Sequence, residues 1–386
     1  MTGPQRHVAL FTHRWSDGAP TGMGRHAHGL AQGLAEVLAD GSAPGWRVTA
    51  TSAAEADPGQ RLPPAIGYQP LRGPRKARLA GWRLLGRPRV DGALGRPDLV
   101  HSLLPFVPVP TGAPFVQTVP DTIPLRHPEW HRWFERWGFA GGFDRLGAAD
   151  AVVVSSQHVA DQVCALGIDA GRIAVVPLGI DGSFFEAIAP EVVAATAVGF
   201  GVDPGRFLVA VGQVSNRKNV AVVLEALAEL PPTGGVELLV VGPDGDGDLV
   251  ATAARHGVGE RVRATGYVTE DDLRALLQGA RALLHPSTEE GFGLTPLEAM
   301  ASGTPAVVAG ASSLPEVVGD AGVVVDPADV TGWAAAIERV REDGDLVTGI
   351  VAAGRERAAT YTWRATAKGH LDVWAAVLDG RTPKSV

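Results

Sequence analysis

Pro286-Ser-Thr-Glu-Glu-Gly-Phe-Gly-Leu-Thr-Pro-Leu-Glu-Ala-Met300 follows the apolar run 282–285 and leads into Ala301-Ser-Gly-Thr-Pro-Ala306. A short apolar run that stops at a turn reads as a buried strand, and the residues from Pro296 onward read as a helix. Thr295 suits the N-cap of that helix, Pro296 its first position, and Glu298 would complete a capping box. On this reading Glu298 only caps its own helix. The same turn also presents the free amides of Gly293, Leu294 and Thr295 at the positive end of a helix dipole, a ready anion site. Glu290 and Glu298 flank it and can accept hydrogen bonds from sugar hydroxyls. On the residues alone, both readings stand.

The strand–turn–helix rhythm extends in both directions. Toward the N-terminus, strands are expected at 7–11, 47–51, 98–101, 114–119, 151–154 and 173–176, with helices at 24–38, 129–146 and 157–166. In the second half, strands are expected at 207–212, 236–242, 261–265, 282–285, 306–309 and 322–325, with helices at 219–229, 271–278 and 330–340. Two successive β/α alternations imply two doubly wound α/β domains, each with a mostly parallel sheet. The break falls in 181–205, where the strand signal lapses. Ligands of such sheets bind beyond the carboxyl ends of the strands, and a cleft between two such domains is the default site.

Length and charge agree with this. The 386 residues suit two domains of ordinary size. Residues 1–180 carry 18 Lys/Arg against 14 Asp/Glu, while residues 181–386 carry 16 against 28, so the net charge of −8 hides a basic first half. An acidic chain is a poor polyanion binder, which argues against a nucleic-acid partner. The single cysteine, Cys164, precludes an internal disulfide and fits a reducing compartment. No apolar run reaches the ~18 residues of a membrane span. The run 8–11 gives way at once to His13 and Arg14, unlike a signal peptide. The expected location is cytoplasmic.

A second motif opens the C-terminal half: Val209-Ala-Val-Gly-Gln-Val-Ser-Asn-Arg-Lys-Asn219. A strand runs into a loop with two adjacent cations in a chain that has only four lysines (Lys76, Lys218, Lys368 and Lys384). The bland meaning is a solvated surface pair. The sharper one is a clamp for a diphosphate leaving group, whose charge grows in the transition state.

Together these stretches resemble the retaining glycosyltransferases of family 4, which have the GT-B fold and an E-x7-E motif. Glu290 and Glu298 stand at the two motif positions, and the likeness continues to Leu314-Pro315-Glu316 and Val325-Asp326-Pro327. The resemblance implies that Glu298 binds the donor's ribose and Glu290 the donor sugar, with the Gly293 and Leu294 amides facing the diphosphate. It places Lys218 on that diphosphate, after the strand-ending Gly212. Many members carry an arginine where this chain has Gln213; Arg217 is the candidate to replace it. Gly24, in Thr21-Gly-Met-Gly-Arg25, is similar to a family loop that approaches the donor phosphates. The turn Gly266-Tyr267-Val268 is expected to meet the base, with Tyr267 against it.

One position departs from the family. In Gln117-Thr-Val-Pro-Asp-Thr-Ile-Pro124, the family has a histidine–aspartate pair; here Pro120 replaces the histidine and Asp121 is kept. Proline can neither donate a side-chain hydrogen bond nor move a proton. His101 and His127 are nearby, and neither is assigned a catalytic role.

The resemblance implies GT-B architecture: an acceptor-binding Rossmann-like domain over 1–180, a donor-binding one over 190–360, a deep cleft between them, and a last helix and tail over 361–386 returning to the first. It implies metal-independent transfer from a UDP- or GDP-sugar to an acceptor hydroxyl, with retention and an α-linkage. The eleven histidines and one cysteine show no metal-ligand spacing. The acceptor could be a glycan, a lipid-linked glycan, a cyclitol or a secondary metabolite. Similarity around Ile123-Pro124 and Arg217-Lys218-Asn219 hints at the mannosyltransferase branch. Rival readings are a sugar-nucleotide epimerase, a silent nucleotide-sugar-binding protein, and an oxidoreductase. The last is disfavoured by an incomplete Gly-x-Gly-x-x-Gly signature.

Two features fall outside this frame. Residues 72–89 hold seven basic residues and no acid. As a helix they would put Lys76, Arg83 and Arg87 on one face and Leu79, Trp82 and Leu85 on the other. The segment is either a solvated helix resting on the core or a peripheral contact with an anionic membrane's inner face. Trp130, Trp133 and Trp137 recur at helical spacing and read as core, with stacking on sugars as the alternative.

Overall fold

In the computed structural model the chain is described over residues 5–12, 15, 22–53, 62–231, 237–244 and 249–385. His13, Arg14, Thr21 and Val236, which entered the expectations above, lie outside these residues. The chain divides into two units, Met1–Gly179 with Tyr361–Val386, and Ile180–Thr360.

In the first unit, β1 (Arg6–Thr12), β2 (Trp46–Ser52), β3 (Gly67–Tyr68), β4 (Leu99–Ser102), β5 (Phe115–Val119), β6 (Ala151–Val154) and β7 (Ile173–Val175) form one sheet in the order β3-β2-β1-β4-β5-β6-β7. Every pairing is parallel, with Val8 opposite Val48 on one side and Leu99 on the other. Strands covered on both faces need unbroken apolar runs. β6, Ala151-Val-Val-Val154, is such a run and is buried throughout. The last helix, Trp363–Leu378, packs in this unit against the first, Gly22–Ala39. A Cβ on Gly29 would stand 2.0 Å from the Trp363 ring, so that contact needs a residue without a side chain.

In the second unit, β8 (Phe207–Val211), β9 (Glu237–Val241), β10 (Val262–Gly266), β11 (Ala282–His285), β12 (Ala306–Ala309) and β13 (Val323–Val325) form a parallel sheet in the order β10-β9-β8-β11-β12-β13. Each sheet grows one way from its first strand and the other way from its fourth. The reversal falls between β1 and β4, and between β8 and β11. In doubly wound sheets the ligand crevice opens beyond the carboxyl ends of such a pair.

Several local expectations need correction. The helix expected over 129–146 is broken into a turn at Pro128–Trp130, a helix at Trp133–Asp144 and a turn at Leu146–Ala148. Its buried residues are Gly138, Gly141 and Gly142, so Trp130, Trp133 and Trp137 are exposed and do not belong to the core. The helix in 72–89 runs from Arg75 to Leu85 and stops at Gly86, whose φ is 61°. Arg87 therefore lies beyond the helix, Leu85 is exposed, and the buried residues are Arg78 and Trp82. The stretch read as the break holds a helix, Pro190–Gly199, and Gly344–Ala359 is a further helix that periodicity did not reveal.

Candidate functional site

Beyond the carboxyl ends of β8 and β11, the second unit gathers Gly212, Arg217, Lys218, His285 and Glu290. The loop after β8 forms a short turn, Asn216–Lys218, that ends on Asn219 in the left-handed conformation (φ 49°). Asn219 Nδ2 donates to Pro327 O at 2.9 Å, anchoring the turn to the far side of the sheet. From there Lys218 reaches back across Gly212. At φ 134° that residue has backbone geometry suited to glycine, and a Cβ on it would meet Lys218 Cε at 2.7 Å. The glycine is what lets the lysine lie over the strand end.

Lys218 Nζ meets Glu290 Oε1 at 2.7 Å and Arg217 Nη1 meets Glu290 Oε2 at 2.9 Å, so each carboxylate oxygen faces one cation. His285 Nε2 lies 3.3 Å from Oε1. The loop after β11 is held by its own bonds. Thr288 N donates to Arg217 O at 2.9 Å, Glu290 N to Ser312 Oγ at 3.0 Å, and Ser313 Oγ to Glu290 O at 3.0 Å. The two loops are thus tied at backbone and side chain alike.

Burial raises the Glu290 carboxyl, but Lys218, the His285 hydrogen bond and Arg217 outweigh it and hold Glu290 well below the usual carboxylate range. Burial also lowers Lys218, against the pull of Glu290, and Arg217 adds to the lowering. His285 is lowered by burial and by Lys218, so it is neutral beside an ionised Glu290. The net result is two cations around one carboxylate in a partly dry corner, a surplus of positive charge where an anion would arrive.

The helix after this turn is Leu294–Ala301, and its N-cap is Gly293 (φ 135°), with no side-chain cap. The N-cap expected at Thr295 is not there: Thr295 is the helix's second residue and Pro296 its third. Glu298, one turn further in, is too deep to close a capping box and is 3% exposed. The capping-box reading of Glu298 is therefore excluded. The amides of Gly293 and Leu294 remain at the helix start.

Tyr267 follows β10, two strands from β8, and is 67% exposed. Two strand spacings put it about 10 Å along the sheet from the β8 loop. Gly24, Pro120 and Asp121 belong to the first unit. Gly24 lies in the first turn of the helix Gly22–Ala39 rather than in a preceding loop. Pro120 follows β5, and Asp121 Oδ1 accepts from Ile123 N at 2.9 Å, starting the short helix Ile123–Arg126.

Sequence reasoning missed His285, Ser312 and Ser313. The first had a visible signal, since it ends the strand five residues before Glu290; the serines sit in an ordinary loop with none. Among the described residues no group of three or more His, Cys, Asp or Glu side chains could hold a metal ion. No described helix is long and apolar enough to cross a membrane.

Residues 20–184 match the family described as Glycosyltransferase Family 4, and residues 200–357 the family described as Glycosyl transferases group 1. A D-inositol 3-phosphate glycosyltransferase from Salinispora arenicola is 33% identical over 62% of this chain and 58% of its own length. An O-antigen chain mannosyltransferase B from Escherichia coli is 38% identical over 40% of this chain and 41% of its own. The chain thus spans about half the length of the curated relatives it matches. Among solved structures, Anabaena Alr3699/HepE in complex with UDP and glucose superposes with a TM-score of 0.74, at 19% identity over 96% of this chain and 99% of that one. A sucrose-phosphate synthase from Thermosynechococcus elongatus does so with 0.74 at 20% identity, over 97% and 100%.

Proposed function

The chain belongs to the family-4 type of glycosyltransferases with the GT-B fold, and from that premise we propose that it transfers a sugar from a nucleoside-diphosphate sugar to an acceptor hydroxyl. The observation that carries this reading is the Arg217–Glu290–Lys218 cluster at the β8/β11 crevice. Without donor, Glu290 occupies both cations. An arriving diphosphate competes for Lys218 and Arg217 and frees Glu290 to accept hydrogen bonds from the sugar. Glu298 then holds the ribose hydroxyls, Tyr267 lies against the base, and the amides of Gly293, Leu294 and Thr295 complete the phosphate site.

Transfer proceeds with retention, giving an α-linkage without a metal. The bond from the anomeric carbon to the phosphate oxygen breaks, and a bond to the acceptor oxygen forms on the same face. The acceptor's proton passes to the departing phosphate oxygen. Fixed cations stabilise the charge that grows there, and Lys218 and Arg217 supply them.

UDP is the first base to test, because it is bound in the Anabaena structure, and GDP the second, because of the mannosyltransferase relative. A phosphate-bearing cyclitol is the acceptor class favoured by the inositol phosphate relatives. In the first unit a cavity of about 340 Å³ is lined by Arg72, Arg78 and Arg89 together with Trp82. Its described lining includes no acid, which suits a phosphate on the acceptor. Gly24 and Asp121 are the first unit's candidates for contact with the substrates. Pro120, which carries no proton, favours a second reading: a protein that binds donor without turning it over.

Calorimetric titration of UDP and GDP into the wild type and Glu298→Ala tests the donor site. A micromolar affinity is roughly −8 kcal/mol, and losing bonds to a charged carboxylate should remove ~1.5–3 of it. Binding of one nucleotide, weakened by the substitution, is the expected result. If neither nucleotide binds, the reading fails. If the cognate sugar nucleotide binds but is neither transferred nor hydrolysed, the silent reading replaces it.

A further inference from the structure

The helix Trp133–Asp144 packs Phe139 and Phe143 partly inward but leaves its first aromatics outside. It turns Gly138, Gly141 and Gly142 inward, against Phe106, Arg83 and Pro105, and leaves Trp133, Phe134 and Trp137 exposed. A helix adapted only to water would do the reverse, since burying an aromatic ring is worth far more than burying glycine. Trp133 is 78% exposed. Beside it, the helix Arg75–Leu85 ends in Leu84 and Leu85, exposed to 72% and 76%. The two helices are tied together. Arg83 lies over Gly141 and its Nη2 meets Asp144 Oδ2 at 3.2 Å. Leu84 and Leu85 follow Arg83 directly and Trp137 is one turn before Gly141, so both apolar sets sit on the two helices that this contact joins.

The rim is basic. Lys76 and Arg87 flank the leucines, and Arg132 and Arg136 flank the tryptophans; all four are exposed. The neighbouring acids are engaged locally. Glu135 accepts from Arg132 N, Glu129 meets His127 at 3.1 Å, and Asp144 is held by Arg83. Residues 72–89 and 126–145 together carry eleven Lys/Arg against three acids, so the two segments are net positive on a chain whose net charge is −8.

We propose that this patch (Leu84, Leu85, Trp133, Phe134 and Trp137 within an arginine and lysine rim) seats the protein on an anionic lipid bilayer. Tryptophan favours the headgroup level, where its ring is half in hydrocarbon, and arginine and lysine gain from anionic headgroups. The contact is peripheral: both helices lie along the surface, with the apolar side chains entering the interface.

The test is cosedimentation of the full chain with phosphatidylcholine vesicles carrying about one third phosphatidylglycerol, beside pure phosphatidylcholine vesicles. The expected result is binding to the anionic vesicles, with a blue shift of tryptophan emission, and weakening by salt. Trp133→Ser/Trp137→Ser, and separately Arg132→Glu/Arg136→Glu, should each lower partitioning by about tenfold or more. The Arg217–Glu290–Lys218 cluster belongs to the other unit, so nucleotide binding should be unchanged. Trp137 is only 38% exposed and Arg136 Nε donates to His131 O at 2.8 Å, so a thermal melt of each variant checks that partitioning falls without unfolding. The proposal is overturned if the wild type stays in the supernatant with anionic vesicles, or if both double variants partition like the wild type. It is equally overturned if the patch instead closes a concentration-dependent dimer that the tryptophan variant dissolves and that ignores vesicles.

Discussion

His101 and His285 sit on corresponding strands, the fourth in each sheet, and both are buried, yet their surroundings differ in kind. His101 is enclosed by neutral groups. Its Nε2 meets Thr118 Oγ1 at 2.8 Å, its Nδ1 accepts from Trp374 Nε1 at 3.0 Å, and the His370 ring stacks on it at 5.3 Å, with His26 next in line. His285 is enclosed by Glu290, Lys218 and Arg217. The first arrangement fastens the last helix to the first unit. The second concentrates unlike charges at a crevice that a packed interior would not need. Equivalent topological positions thus host a neutral clasp in one unit and a charged cluster, the proposed donor site, in the other.

The largest effect expected on this contrast comes from Lys218→Ala. Catalytic turnover should fall about a hundredfold or more, because a fixed cation at the leaving group is lost. Stability should fall by only about 1–2 kcal/mol, since Arg217 and His285 still face Glu290. Single-turnover kinetics beside a thermal melt separates the two. If turnover is kept and only stability falls, the second cluster is a clasp like the first and the contrast collapses.

Next in size is the acid response of the first unit. Burial lowers His26 to about 3 and His370 to about 4, from 6.5, with His370 adding to the lowering of His26. His101 is pushed down as well, first by burial and then by His370 and His26. Between these values and 6.5 the unfolded chain takes up protons that the folded chain does not. Their contribution to stability is therefore complete above 6.5 and is lost as pH falls toward 4 and 3. Substituting His370→Leu removes one of these groups. Urea unfolding compared at about pH 7.5 and 4.5 should show a pH loss smaller by on the order of 2 kcal/mol in the variant. An unchanged slope would mean that the ring charges without loosening the helix Trp363–Leu378.

The two clusters were not equally legible in the sequence. Glu290, Lys218 and Arg217 stood out because each ends or follows a strand, and a strand's carboxyl end is where doubly wound sheets place ligands. His26, His101 and His370 are 75 and 269 residues apart along the chain, so only folding reveals that they meet. The two-residue β3 carried no apolar-run signal and β10 includes Arg263 and Thr265, but most strands were readable because they are buried apolar runs. The helix Trp133–Asp144 was misread for the opposite reason. Its glycines carry no hydropathy signal, and a tryptophan at helical spacing looks like core whichever way it faces. The basic segment is a helix with Leu79 and Trp82 turned inward and Lys76 outward, as the pattern implies. Leu85 and Arg87 depart from it, and Arg78 is buried because its guanidinium bonds the carbonyls of Ala53 and Leu71 inside the unit.

The smallest effect tests what organises the helix start at the charged cluster. If Thr295 were the N-cap, Thr295→Ala would cost about 1 kcal/mol. With Gly293 at the cap and Thr295 already inside the helix, without a capping bond, the change should stay within about 0.5 kcal/mol. Urea unfolding of the second unit measures this directly, and nucleotide titration of the same variant adds a second reading. A stability loss near the larger value would return the turn to the category of ordinary capped helices. A small loss, with nucleotide affinity unchanged because alanine keeps the backbone amide at 295, is what a helix start left open for phosphate should give. It would also extend the contrast between the units from side chains to backbone. The first unit gathers neutral rings around His101, whereas the second gathers two cations on one carboxylate beside the helix-start amides at the end of its sheet.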